Sequence, residues 1–284
     1  MKLSPTLAAL CAMLGLASAL PAAQAAVLVT SAAQTYTQNF DTLVSSGSAA
    51  WANDSTLSGW SLFTQPAPGV AVTTYAAGTG SSNTGSFYSF GAAGSSERAL
   101  GGVGSGGNYF GSPSSGAVAG WIAAAFTNTS GVALDGFSLA FDGEQWRNGG
   151  NTNSQTMTFE YGYGSTFALV SAWTAPGGAF DFSSPATGAG AGALDGNGAA
   201  NRVAGLGGLV AGPWNDTSTL WLRWRETNDV GNDHGLAIDN LQLTAGAALG
   251  SGSTRTLPEP SDGALVVAAL AAMALVTLRR DSRR

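Results

Sequence analysis

The chain has 284 residues, of which 10% are charged, 41 are glycine and one is cysteine, and its formal net charge is −6. An acidic balance disfavours nucleic acid as a partner, because phosphates need a basic surface; cations and neutral polysaccharide are compatible. One cysteine and one histidine exclude a disulfide framework and a nitrogen- or sulfur-rich zinc site.

Residues 1–25 carry Lys2, an apolar run over 7–20 and Ala23-Gln24-Ala25. That order reads as a secretory signal peptide with a mature start at Ala26, and Cys11 leaves with it. Residues 26–245 read as one β domain. Between 26 and 256 there are six arginines, no lysine and fourteen acids, a net charge of −8. Few charges together with many aromatics do not fit disorder. They fit an exported all-β domain with many turns.

Strand patterns are predicted over 27–30 and 35–40 as a first pair, then 60–63, 70–75 and 87–90. Residues 99–116 read as a Gly/Ser loop. Gly102, Gly104 and Gly107 match a dinucleotide fingerprint formally, but no strand and helix flank them, so that reading is rejected. Further strands are expected over 118–129, 134–146, 156–163 and 168–173. On the second of these Phe137, Leu139 and Phe141 share a core face. Residues 175–212 read as a long loop with a short strand near 202–204. Strands over 219–226 and 236–244 complete the domain. No amphipathic helix is found in it. The expected fold class is all-β, a two-sheet antiparallel β-sandwich of jelly-roll type, with a signal helix before it and a transmembrane helix after it. Residues 246–257 read as a Gly/Ala/Ser linker.

The tail, 258–284, has three parts. Pro258-Glu259-Pro260 holds the chain extended. Residues 263–278 are 16 residues without a charge, about 24 Å long as a helix against a hydrocarbon core of roughly 30 Å. Arg279, Arg280, Arg283 and Arg284 follow, and the positive-inside rule keeps them in the cytoplasm. This order resembles the PEP-CTERM sorting signal of exported bacterial proteins. The resemblance implies transient anchoring in the inner membrane, recognition by an exosortase together with the secretion machinery, and release to the cell surface or extracellular matrix. The ectodomain also resembles concanavalin-like and MAM-like jelly rolls, through Asn39-Phe40-Asp41 and the closing Gly235-Leu236-Ala237-Ile238-Asp239-Asn240-Leu241. In those folds the two segments pair.

Residues 225–240 are the densest polar stretch. Asp229, Asp233 and Asp239 there are candidate Ca²⁺ ligands, since a hard cation takes carboxylate and carbonyl oxygens. The competing reading is a hairpin whose Asp and Asn side chains hydrogen-bond their own backbone. Asp142, Glu144 and Trp146 lie opposite the core face of their strand, and Trp221, Arg223 and Arg225 share an outer face. If the strands are neighbours, Glu144 can pair with Arg225. Trp146, Trp221, Glu144 and Arg223 are candidate sugar contacts, against the alternative of a solvated salt-bridge ladder. His234 reads as structural, and no Gly-x-Ser-x-Gly elbow accompanies it. The favoured expectation is a non-catalytic surface or matrix protein with a structural or polysaccharide-binding domain. The alternative is an extracellular carbohydrate-active enzyme, for which Glu144 and Glu226 would have to face each other across a cleft.

Overall fold

The computed structural model describes residues 26–64, 69–104 and 113–249. The expected signal peptide, the Pro-Glu-Pro motif, the apolar run over 263–278 and the four terminal arginines lie outside the described residues. Among the described residues, no helix is long and apolar enough to cross a membrane.

Two sheets make up the domain. The first contains β1 (Val27–Val29), β4 (Trp60–Thr64), β5 (Val70–Ala71), β9 (Val118–Asn128), β11 (Thr156–Tyr163), β12 (Phe182–Ser183) and β15 (Thr219–Thr227), in the order β12-β11-β15-β9-β4-β5 with β1 beside β9. The second contains β2 (Thr35–Gln38), β3 (Ser48–Ala50), β6 (Thr74–Gly78), β7 (Ser86–Phe90), β8 (Ala99–Val103), β10 (Leu134–Asn148), β13 (Gly192–Ala193), β14 (Arg202–Trp214) and β16 (Gly235–Ala245). Its order is β13-β10-β16-β8-β7-β6-β3, with β14 along β10 and β2 along β16. The expected sandwich is present, but the sheets are mixed, since β1–β9 and β6–β7 are parallel pairs.

Alternation decides which side chains meet between the sheets. Phe137, Leu139 and Phe141 of β10 and Leu220, Leu222 and Trp224 of β15 all enter one buried cluster, as the period-2 pattern predicts. Phe141 meets Trp224 edge-on at 5.5 Å, so the two sheets touch through aromatic rings. Trp224 also stacks on Trp60 at 6.0 Å.

Several expected elements differ. The first two strands do not pair with each other: β1 joins β9 and β2 joins β16, so the chain crosses from one sheet to the other between them. Residues 168–173 contain no strand; a 3-10 turn, Phe167–Leu169, stands there instead. Its Phe167 ring stacks on Phe63 at 4.1 Å, so an apolar run serves as a cover rather than a strand. Two Gly-rich stretches expected as loops hold strands. In β8 a Cβ on Gly101 would lie 2.1 Å from the Leu236 carbonyl oxygen, and in β14 one on Gly207 would lie 2.1 Å from that of Leu139. These glycines let neighbouring strands approach closely. The first residues of the expected linker are also held: Ala247 N donates to Asp135 Oδ1 and Leu249 N to the Ala133 carbonyl.

Candidate functional site

The central strands of the second sheet carry a second, smaller core on their outer face. Tyr88, Phe90, Ala99, Val103, Trp146 and Ala237 form it, and Trp146 stacks on Phe90 at 6.1 Å with the rings 2° from parallel. The strand pattern explains the two faces: Leu100 and Ile238 point into the main core, while Ala99 and Ala237 point out. The loop after β13 lies over this face. Leu194 N donates to the Trp146 carbonyl and Gln145 N to that of Asn201, and a Cβ on Gly196 would lie 2.3 Å from Trp146 Nε1.

Three carboxylates converge within this cover. Glu144 of β10 and Asp239 of β16 are 0% and 2% exposed, and Glu97 lies two residues before the start of β8. One oxygen from each lies within 4.8 Å of the other two. Glu97 Oε1, Glu144 Oε1 and Asp239 Oδ1 are buried without a hydrogen-bond partner. The other oxygens of both glutamates are fixed: Trp146 Nε1 donates to Glu144 Oε2 at 2.9 Å, and Asn197 Nδ2 donates to Glu97 Oε2. Asp41 Oδ1 accepts from Arg98 N at 2.9 Å and so anchors the backbone beside Glu97. Burial pushes the Glu144 carboxyl up to about 7, against the pull of the Trp146 bond. Asp239 is pushed up to about 8, first by burial, with Glu144, Glu97 and Asp41 adding to the rise.

Local backbone geometry brings Asp239 here. Between Ala140–Gln242 and Asp142–Asp239 the register slips by one residue on β16, and Asn240 takes φ 49° at the slip. This bulge lets Ala237 and Asp239 face outward while Leu241 and Leu243 return to the main core. Asp142, opposite Asp239, is occupied by Arg202 at 2.6 Å and by Asn240 at 3.0 Å.

The expected calcium set is therefore regrouped. Among the described residues the convergent three-carboxylate group contains Asp239 but joins it to Glu97 and Glu144. Asp229 and Asp233 belong to a hairpin in which Asp229 N donates to Asp233 Oδ1 at 2.7 Å, so a loop carboxylate is bonded by the loop's own backbone. Glu226 stands with them. Its carboxyl is pushed up to about 8, first by burial and then by Asp233 and Asp229.

The aromatic sugar platform is not there. Trp146 and Trp221 are 1% and 0% exposed; Trp146 lies under the β13–β14 loop, and Trp221 lies under Phe167 and donates to the Gly164 carbonyl. Arg223 stacks over Trp173 at 3.8 Å and pairs with Glu160 at 2.7 Å. Glu144 does not meet Arg225, because β10 and β15 are in different sheets and Arg225 instead reaches Thr158. For the same reason Glu144 and Glu226 do not face each other. Glu144 packs with the outer face of the second sheet, while Glu226 extends the alternation of Leu220, Leu222 and Trp224 toward the inside of the first. His234 Nδ1 accepts from Gly149 N at 2.9 Å and Nε2 lies 3.3 Å from the Asn153 carbonyl. Burial lowers its pKa. The ring joins the ends of β10 and β16.

Comparison with known proteins returned no matching family model, no matching curated relative and no matching solved structure.

An open polar cleft of about 320 Å³ lies at the same end of the domain, lined by Asn83, Arg147, Asn232 and Asp233 among others. Sequence reasoning missed Glu97. Its one signal was a charged Glu97-Arg98 pair inside an otherwise neutral Gly/Ser segment, and nothing local indicated that its partners lay 47 and 142 residues further on.

Proposed function

We propose that the protein is exported, held briefly in the inner membrane by residues 263–278, and cut free near Pro258-Glu259-Pro260 by an exosortase. The released domain, a jelly roll in this reading, serves at the cell surface or in the extracellular matrix as a non-catalytic structural or polysaccharide-binding module. The observation that carries the reading is the order of the tail: a stiff Pro-Glu-Pro, an uncharged run and four arginines. The acidic, cysteine-free β domain ahead of it is compatible with an oxidising exterior, because it depends on no thiol. The cleft lined by Asn83, Arg147, Asn232 and Asp233 replaces the tryptophan face as the place for a glycan, since its amides, guanidinium and carboxylate match sugar hydroxyls.

Mass spectrometry of the secreted protein tests the sorting step. In cells with the exosortase the mature chain should end near residue 258. Without the enzyme, or with Pro258 and Pro260 replaced by alanine, the tail should persist in the membrane fraction. A released chain that retains 263–284 would overturn the proposal.

A further inference from the structure

We propose that Glu97, Glu144 and Asp239 bind one Ca²⁺ ion on the outer face of the second sheet, beneath the loop between β13 and β14. The proposal is independent of the sorting reading and of the glycan cleft. It starts from donor chemistry. The three side chains offer only oxygen, which suits a hard cation and not zinc or copper. Their oxygens lie within 4.8 Å of one another, about twice a Ca²⁺–oxygen distance of 2.3–2.6 Å. One ion at such a distance can reach all three. Mg²⁺, at about 2.0–2.1 Å with strict octahedral geometry, needs a tighter cage.

A group of acids alone would not carry this. The second observation is the state of their buried oxygens. Glu144 is fully buried and Asp239 nearly so, yet Glu144 Oε1 and Asp239 Oδ1 have no donor, and neither has Glu97 Oε1. Buried carboxylate oxygens are nearly always hydrogen-bonded, so an orphan oxygen on each member of one close group calls for a common partner. The nearby guanidiniums do not serve: Arg202 is engaged by Asp142 and Arg98 by Ser89. The other oxygens of the two glutamates are held by Trp146 and Asn197. Such outer contacts fix the orientation of the carboxylates, as they do around metal ligands generally.

The ion would tie together the segment before β8, the bulge of β16 and the middle of β10. Through Asn197 it would also steady the covering loop. It would therefore act as a structural cross-link, and three protein oxygens leave further coordination positions for water.

The test uses the purified full chain, stripped with chelator and titrated with CaCl₂ by calorimetry and by thermal melting. One ion should bind per chain, and a hundred-fold excess over Kd should raise Tm by about 5–10 °C. Glu97→Gln and Asp239→Asn should each weaken binding at least ten-fold, and a paired Asp229→Asn, Asp233→Asn variant should bind as the parent does. Should Asp239→Asn fail to fold, Glu97→Gln decides, because Glu97 is partly exposed and tolerates the change. Absence of both a heat of binding and a melting shift in the parent overturns the proposal. Undiminished binding in Glu97→Gln, or loss of binding in the Asp229/Asp233 variant, removes the site from these residues. An equal response to MgCl₂ overturns the assignment to calcium.

Discussion

Asn240 stands in the left-handed region at φ 49° and donates its side-chain amide to Asp142 Oδ2, 3.0 Å away across the bulge between β16 and β10. Backbone and side chain thus hold the same register slip. Asn tolerates this conformation far better than a β-branched residue does. Asn240→Gly should keep the backbone and lose only the bond to Asp142, at a cost of about 1 kcal/mol. Asn240→Val should lose both, costing about 3 kcal/mol, and it should also displace Asp239. Chemical denaturation of both variants checks the order; equal stabilities would show that the bulge does not depend on Asn240.

Gly101 tests why β8 is a strand at all. Its Cβ would meet the Leu236 carbonyl oxygen at 2.1 Å and Ala237 Cβ at 2.6 Å. Backbone cannot rotate away as a side chain tip can, so Gly101→Ala should force β8 and β16 apart. An overpacking cost of about 3 kcal/mol is expected, read as a fall in Tm of about 6–12 °C. Gly94→Ala is a control for space: nothing lies within 4 Å of its Cβ, so only its positive φ of 76° opposes the change, and the cost should be about 1 kcal/mol. Comparable losses in the two variants would remove the close-approach explanation.

Much of the sandwich was legible in the chain because alternation survives wherever one face is apolar. Phe137-x-Leu139-x-Phe141 and Leu220-x-Leu222-x-Trp224 gave their strands and faces directly. Alternation fails in β8 and β14 because their glycines record a neighbour's backbone, which is fixed by pairing and not by local sequence. It also misleads for Trp146 and Trp221. Both do face away from the main core, as expected, but outward on a sheet is not outward to water when a loop or a 3-10 turn lies above. The acid trio was half legible. Glu144 and Asp239 were singled out for separate reasons, and only the β8–β16–β10 order brings Glu97 to them.

Arg223 illustrates a second consequence of a covered outer face. Its guanidinium lies over Trp173 at 3.8 Å, 5.3 Å from the Trp121 ring, and bonds Glu160 through Nε at 2.7 Å. Lysine carries the charge but not the planar stack. Arg223→Lys should cost about 1 kcal/mol. Arg223→Met should cost about 3 kcal/mol, because it leaves Glu160 shielded and unpaired, and Glu160→Gln should recover part of that loss. A double-mutant cycle by urea denaturation measures the coupling; additive losses would mean that the pair contributes nothing beyond its packing.

Glu226 gives the clearest dependence on pH. Burial first, and then Asp233 and Asp229, push its carboxyl up to about 8, and burial pushes Asp233 up to about 8 as well. In the unfolded chain such groups titrate near about 4. Between those limits the folded state holds protons that the unfolded state has released, so stability falls as pH rises. The contribution is whole below about pH 4 and is lost as pH climbs through about 8. Glu226→Gln mimics the protonated form at every pH. It should match the parent near pH 4.5 and exceed it increasingly toward pH 8.5, with chelator present throughout so that the Glu97–Glu144–Asp239 group stays metal-free. Comparing variant with parent cancels the opposite tendency of His234, whose lowered pKa makes folding less favourable in acid. A gap in Tm that stays constant between pH 4.5 and 8.5 would mean that Glu226 ionises as freely in the folded chain as in the unfolded one.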